Sequence, residues 1–202
     1  TAKKPYIIFG QGVILSEAEA ELRALVEKSG IPAAWTLLGL SAMPTDHPLN
    51  VGMVGMHGNY GPNVLTNECD VLIALGMRFD DRVTGNLATY AKQAKVIHFE
   101  IDSAEVDKNV KTTVAVLADL KESLTALLPL IEKNSHESWH NEFKEKYKIE
   151  LEAVINDELK PKKEGISMGE TIEMINKHSK GDAIMVSDVG QHQMFTCRYS
   201  KF

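Results

Sequence analysis

The stretch Gly52 to Asn86, GMVGMHGNYGPNVLTNECDVLIALGMRFDDRVTGN, leaves few folds open to this chain. It reads as a glycine-rich loop, a short helix over Asn59–Glu68, a strand, and a charged loop. The apolar run Val71 to Leu75 is short and partly β-branched, and Asp70 and Gly76 bound it. That pattern fits a strand buried on both faces, as parallel sheets require. Arg78, Asp80, Asp81 and Arg82 follow at once. In an open α/β sheet, ligands bind outside the carboxyl ends of the strands. The four charges are therefore candidate ligand contacts. The competing reading is that they pair with one another in a solvated loop.

The segments around it repeat the pattern. Tyr6–Phe9 reads as a strand, followed by Gly10-Gln11-Gly12 and a helix. Ser16 is its expected N-cap, with Glu19 at the capping-box position. Ala18, Leu22, Leu25 and Val26 form its apolar face, and Gly30 stops it. The glycines allow a tight turn and could aim backbone amides at an anion. No third glycine completes a dinucleotide fingerprint, so the turn alone does not indicate NAD. Ala33–Leu37, Lys95–Ile101 and Thr112–Leu117 read as further strands, and Met43–Met56 as loop. Glu100 and Asp102 end one strand, where an acid can accept from a ribose hydroxyl. The alternative is that they cap the turn at Ser103. Asp119 is placed to cap a helix with Leu120, Leu124, Leu127 and Leu128 on one face. Five strands with crossovers predict an α/β, doubly wound parallel sheet.

Composition changes after Ile131. Glu132–Lys163 is rich in Lys and Glu, with Trp139, Phe143, Tyr147, Leu151 and Ile155 at helical spacing, and Pro161-Lys162-Lys163 ends it. Ser167 and Glu170 form a second capping box, and Ala183–Val186 reads as one more strand. The expected division is a central domain over 1–133, a helical connector over 134–164, and the start of a truncated second α/β domain over 165–202. Thr1–Lys4 reads as a cut end.

A net charge of −6 with no basic face argues against nucleic acid. No apolar run reaches the roughly 18 residues of a membrane helix. No signal peptide is evident, and Cys69 and Cys197 lie far apart, outside metal-ligand spacing. Reduced thiols and a cytoplasmic location follow as expectations. His47 reads as a polar loop residue. His57 lacks partners for a metal, so no metal site is predicted; beside a cofactor it would serve for hydrogen bonding or stacking.

GMHGNYGPNVLTNECDVLIALGMRFDDRVTGN, with FEID and DVGQHQM further on, resembles the catalytic subunit of acetolactate synthase (acetohydroxyacid synthase). That is a thiamine-diphosphate enzyme of branched-chain amino acid biosynthesis. The resemblance spans nearly the whole chain. It implies a six-stranded, Rossmann-like central sheet that binds FAD in a largely structural role. The positions that match the family's flavin contacts are Gly10 and Gly12 after the first strand and Thr36, Leu37 and Leu38 after the second. Gly55, Met56 and His57 match in the GMHG loop. Gly76, Arg78, Asp80, Arg82 and Val83 match in the charged loop. Glu100, Ile101 and Asp119 match at the last strand ends, with Glu100 on a ribose hydroxyl. Arg82 would also hold the carboxylate of the incoming 2-oxo acid, for which a guanidinium fork is suited. Gly190, Gln191 and His192 match contacts to thiamine diphosphate.

The family condenses pyruvate with a second pyruvate or with 2-oxobutanoate, losing CO2, and uses Mg2+. The family's activating glutamate and its Asp and Asn metal ligands match nothing here, so the piece alone is expected to be inactive. A homodimer or tetramer of the full-length chain, with a regulatory small subunit, is the implied assembly. Phe195–Phe202, FTCRYSKF, departs from the family's commoner tryptophan-and-alanine continuation, although Phe195 keeps an aromatic. Two alternatives stay open: a related thiamine enzyme such as an oxidase or glyoxylate carboligase, and a ligand-free interface domain.

Overall fold

A computed structural model describes residues 2–162 and 164–202. Thr1 of the expected cut end and Lys163 of the helix-ending Pro-Lys-Lys lie outside the described residues. Six strands form one all-parallel sheet. They are β1 (Pro5–Phe9), β2 (Ala33–Trp35), β3 (Asn50–Met53), β4 (Val71–Leu75), β5 (Lys95–Glu100) and β6 (Val114–Leu117). Their spatial order is β3-β2-β1-β4-β5-β6. The chain winds outward from β1 to β3, then restarts on the other side of β1 with β4. The winding therefore reverses between β1 and β4, and the carboxyl ends of those two strands flank the crevice.

Alternation on β1 explains why the sheet carries helices on both faces. Ile7 and Phe9 join a cluster with Leu22, Leu25 and Val26 of α2 (Glu19–Ser29) and with Leu120 and Leu124 of α5 (Leu120–Leu127). Tyr6 and Ile8 face the other way. They pack with Leu65 of α3 (Tyr60–Thr66) and with Trp139 and Phe143 of α6 (Glu137–Glu150). All four β1 side chains are fully buried. Each contributes about 1.5–3 kcal/mol by leaving water.

Several element boundaries differ from expectation. Met43–Met56 is not all loop, because Asn50–Met53 pairs with β2 as an edge strand. Only Met53 of that strand is buried, so it carries no apolar signature. Ser16 does not begin the second helix. A separate short helix, α1 (Gln11–Leu15), comes first, and Ser16 closes it by donating from Oγ to the Gly12 carbonyl at 2.7 Å. The second strand ends at Trp35 and the sixth begins at Val114. Asn59, the expected start of the short helix, is the N-cap of α3, which ends at Thr66. Ala183–Val186 forms no strand, and Ile184 and Val186 are almost fully exposed. Among the described residues no strand lies beside it to take its hydrogen bonds, and a lone strand does not persist. Gly30, Asp119 and the Ser167–Glu170 pair do terminate or cap helices as expected.

Past α6, a π-helical turn (Leu151–Ile155) leads to α7 (Asn156–Leu159), then α8 (Met168–Ser179) and α9 (Gln191–Tyr199). Among the described residues no helix is long and apolar enough to cross a membrane. Cys69 is fully buried, and burial, with Asp70 beside it, pushes its thiol up to about 12. The folded chain thus keeps a proton that the unfolded chain loses. Stability should fall as pH rises above the thiol's ordinary value of about 8.5. At pH 8 the native thiol should alkylate far more slowly than an exposed one. Iodoacetamide with peptide mapping checks this. Equal labelling of Cys69 in folded and denatured protein would contradict the burial.

Candidate functional site

A cavity of about 540 Å³ opens at the carboxyl ends of β1, β2, β4, β5 and β6. Its walls include Gly12, Thr36, Leu37, Leu38, Gly76, Arg78, Asp80, Arg82, Val83, Glu100, Ile101 and Asp119. Twelve sequence-singled positions from five segments therefore meet in one place. Gly10 sits directly beneath, its N–H donating to the Leu75 carbonyl at 3.0 Å. Gly55, Met56 and His57 do not line the cavity. They lie beside it, where the Met56 N–H donates to the Arg82 carbonyl at 2.8 Å. Gly190, Gln191 and His192 are also off this wall, at the start of α9.

The glycines work differently from the expectation of free amides. Gly12 N–H donates to the Gly76 carbonyl at 2.9 Å, so neither it nor the Gly10 amide is left for an anion. A Cβ on Gly10 would stand 2.6 Å from the Gly76 oxygen, and one on Gly12 2.6 Å from the Gly76 Cα. These residues are glycine because two backbone turns, after β1 and after β4, touch at the switch point. Their contact forms the floor of the cavity.

The charged loop splits between both readings offered for it. Asp80 is the N-cap of a four-residue helix, α4 (Asp81–Thr84), accepting from the Arg82 and Val83 amides at 3.0 and 3.2 Å. Arg78 reaches Asp80 at 3.6 Å in an exposed pair of small energetic value. Arg82 has no acidic partner among the described residues. It is among the residues lining the cavity, and among the described residues its side chain makes no hydrogen bond.

Glu100 also does both things. Its Oε1 accepts from the Ile101 and Asp102 amides at 2.9 and 3.1 Å, which closes the turn after β5. Its Oε2 lies 3.8 Å from His98 Nε2 and accepts no hydrogen bond among the described residues. The residue is 92% buried yet faces the cavity. Asp102 caps the same turn, accepting from the Ala104 amide at 2.9 Å. His98 is fully buried, its Nε2 2.9 Å from the Met77 carbonyl, and stacks edge-on against Phe79. It ties the β4 loop to the strand that carries Glu100.

Sequence reasoning missed wall residues Gln11, Leu15, Met77, Phe99, Ala118 and Leu120, and read Ser16 only as a cap. Most are apolar neighbours of strand ends. Phe99, directly before Glu100, was the one with a positional signal. Among the described residues no three His, Cys, Asp or Glu side chains gather where they could hold a metal ion.

The family model for "Thiamine pyrophosphate enzyme, central domain" matches residues 1–127. The chain is 45% identical over 199 residues to the acetolactate synthase large subunit of Lactococcus lactis, covering 98% of this chain and 34% of that protein. It is 40% identical over 205 residues to the probable acetolactate synthase large subunit of Methanocaldococcus jannaschii, covering 99% and 34%. It is 38% identical over 210 residues to acetolactate synthase 2, chloroplastic, of Nicotiana tabacum, covering 100% and 30%. The chain thus spans about a third of the length of these curated relatives. A sheet wound out from β1 in both directions, a cavity at its switch point and the match over residues 1–127 together make this chain a member of the thiamine pyrophosphate enzyme family, carrying its central domain.

Proposed function

We propose that this chain is the FAD-binding central part of an acetolactate synthase catalytic subunit. The observation that carries the reading is the meeting of Gly12, Arg78, Arg82 and Glu100 on one strand-tip cavity. The residues present suit a flavin dinucleotide. The glycine floor has no side chain to obstruct it. Arg78 and Arg82 offer guanidinium forks to phosphate oxygens. Glu100 Oε2, which takes no backbone amide, is the acceptor for a ribose hydroxyl. Leu37, Leu38, Val83 and Phe99 supply apolar wall. In this reading FAD is held as a structural group.

Gly190, Gln191 and His192 would touch thiamine diphosphate, which supplies an electron sink for decarboxylating a 2-oxo acid. Arg82 would grip the carboxylate of the second 2-oxo acid, pyruvate or 2-oxobutanoate. Residues 1–133 form the flavin domain, 134–164 a helical connector and 165–202 the start of the thiamine diphosphate domain. Mg2+, a homodimer or tetramer and a regulatory small subunit belong to the full-length protein in this reading, and the 202-residue piece alone makes no acetolactate.

The test is colour followed by a variant. The purified full-length protein should be yellow and release FAD on denaturation. It should also form acetolactate from pyruvate with thiamine diphosphate and Mg2+. Glu100→Ala should weaken flavin binding by about ten- to a hundredfold, the worth of one charged hydrogen bond. Glu100→Gln should keep the turn and lose less. A colourless parent overturns the flavin reading, and an unchanged flavin affinity in Glu100→Ala removes Glu100 from the site.

A further inference from the structure

Glu150, at the end of α6, is 95% buried and does not line the strand-tip cavity, yet its carboxylate takes contacts from three residues. Its Oε2 accepts from the backbone N–H of Tyr60, the first residue of α3, at 3.0 Å. The Asn59 side-chain amide lies 3.4 Å from both oxygens. Its Oε1 accepts from Arg198 Nη2 on α9. Arg198 Nη1 in turn points at the Gly58 carbonyl, at 3.5 Å. Asn59 and Gly58 belong to the loop that runs from Gly55 past His57. Asn59 Oδ1 accepts from the Met53 amide at 2.9 Å, which carries the link into β3. One buried ion pair therefore joins the GMHG loop to the last helix. Arg198 lies in the stretch that departs from the family's usual continuation.

The α9 helix is a short rigid rod. Eight residues at 1.5 Å rise put Gly190 only about 12 Å from Arg198. Fixing Arg198 therefore fixes where the helix begins. A buried ion pair is a poor source of net stability, because desolvation cancels much of the attraction. Its best-attested use is to impose one arrangement among several. We infer that the Glu150–Arg198 pair is a positioning clamp that seats α9, and with it Gly190, Gln191 and His192, against the Gly55–Asn59 loop. Which ligands the two ends hold rests on the functional reading above; the clamp itself does not.

The experiment uses Glu150→Gln, Arg198→Gln and the double variant in the full-length protein. Glu150→Gln is isosteric with the native side chain and Arg198→Gln leaves a shorter polar one, so unchanged exchange at β4 amides is required of each variant as the sign that it is folded. Hydrogen exchange should show the Tyr60 amide exchanging about tenfold faster in each single variant, with β4 amides unchanged. The thiamine diphosphate concentration for half-maximal activity should rise about tenfold, with kcat at saturation within about twofold, since only placement is lost. The double variant should lose no more than the worse single one, as expected for one coupled pair. Unchanged Tyr60 exchange, or additive losses, overturns the clamp. Faster exchange with an unaltered half-saturation overturns its positioning role. Faster exchange in a protein that responds to no thiamine diphosphate overturns the functional reading and leaves the clamp standing.

Discussion

Gly12→Ala should destabilise the protein by about 2–3 kcal/mol, the cost of forcing a group into a filled space. In a chain of this size that lowers the melting temperature by about 4–12 °C. The new Cβ would meet Gly76 Cα at 2.6 Å, its oxygen at 2.9 Å and its carbonyl carbon at 3.0 Å. All three are backbone atoms of the turn that ends β4, so no side chain can swing away. Gly76→Ala should cost more. Its Cβ would stand 2.7 Å from Gly12 Cα, and its φ of +55° adds strain that an L side chain resists. Gly85 is the control, with a φ of +56° and nothing within 4 Å of a Cβ, so Gly85→Ala reports backbone strain without a clash. Thermal unfolding followed by circular dichroism ranks the three. If Gly12→Ala melts with the wild type, the two turns do not touch in solution and the cavity has no such floor.

The contact between those turns also marks where sequence reading stops. The strands were legible because Tyr6–Phe9 and Val71–Leu75 are apolar runs that a two-faced sheet buries, and Lys95–Glu100 carries Val96, Ile97 and Phe99 between its charged ends. The caps at Gly30, Asp119 and Ser167 were legible because their chemistry is local. Asn50–Met53 was not, since an edge strand with one buried side chain is held by backbone pairing to β2 that leaves no mark in side-chain pattern. Ala183–Val186 failed in the opposite direction. Its pattern is that of a strand, but pattern supplies no partner. At the site, Arg78, Asp80 and Glu100 stood out because charge at a strand end is conspicuous. Leu15 and Met77 did not, because an apolar wall residue and a core residue look alike in sequence. Gly10 and Gly12 were visible as a turn, but that their amides are consumed by β4 and its following turn is a three-dimensional fact.

Trp139→Ala should be the most damaging single change, costing about 3–5 kcal/mol as large-to-small core truncations of aromatics do. Trp139 lies on α6, in a Lys- and Glu-rich stretch that reads as a connector, yet it is 98% buried. Its Nε1 donates to the Pro5 carbonyl at 2.8 Å, on the first residue of β1. Its ring meets Phe143 edge-on with centroids 4.9 Å apart, and Phe143 meets Tyr6 at 5.1 Å. Lys4 Nζ sits 4.7 Å over the indole and pairs with Glu142 at 2.8 Å, on the same helix. Truncation removes the packing and strands a buried carbonyl. Trp139→Phe should keep most of the volume and lose the hydrogen bond, for about 1–2 kcal/mol. The strand that loses support is β1, whose far end is the Gly10 turn, so damage at α6 should reach the cavity floor. Urea unfolding with a sheet-sensitive probe decides it. A midpoint for the sheet that is unmoved in Trp139→Ala would mean that α6 does not brace β1. A fall of the expected size would mean that α6 braces the sheet through β1.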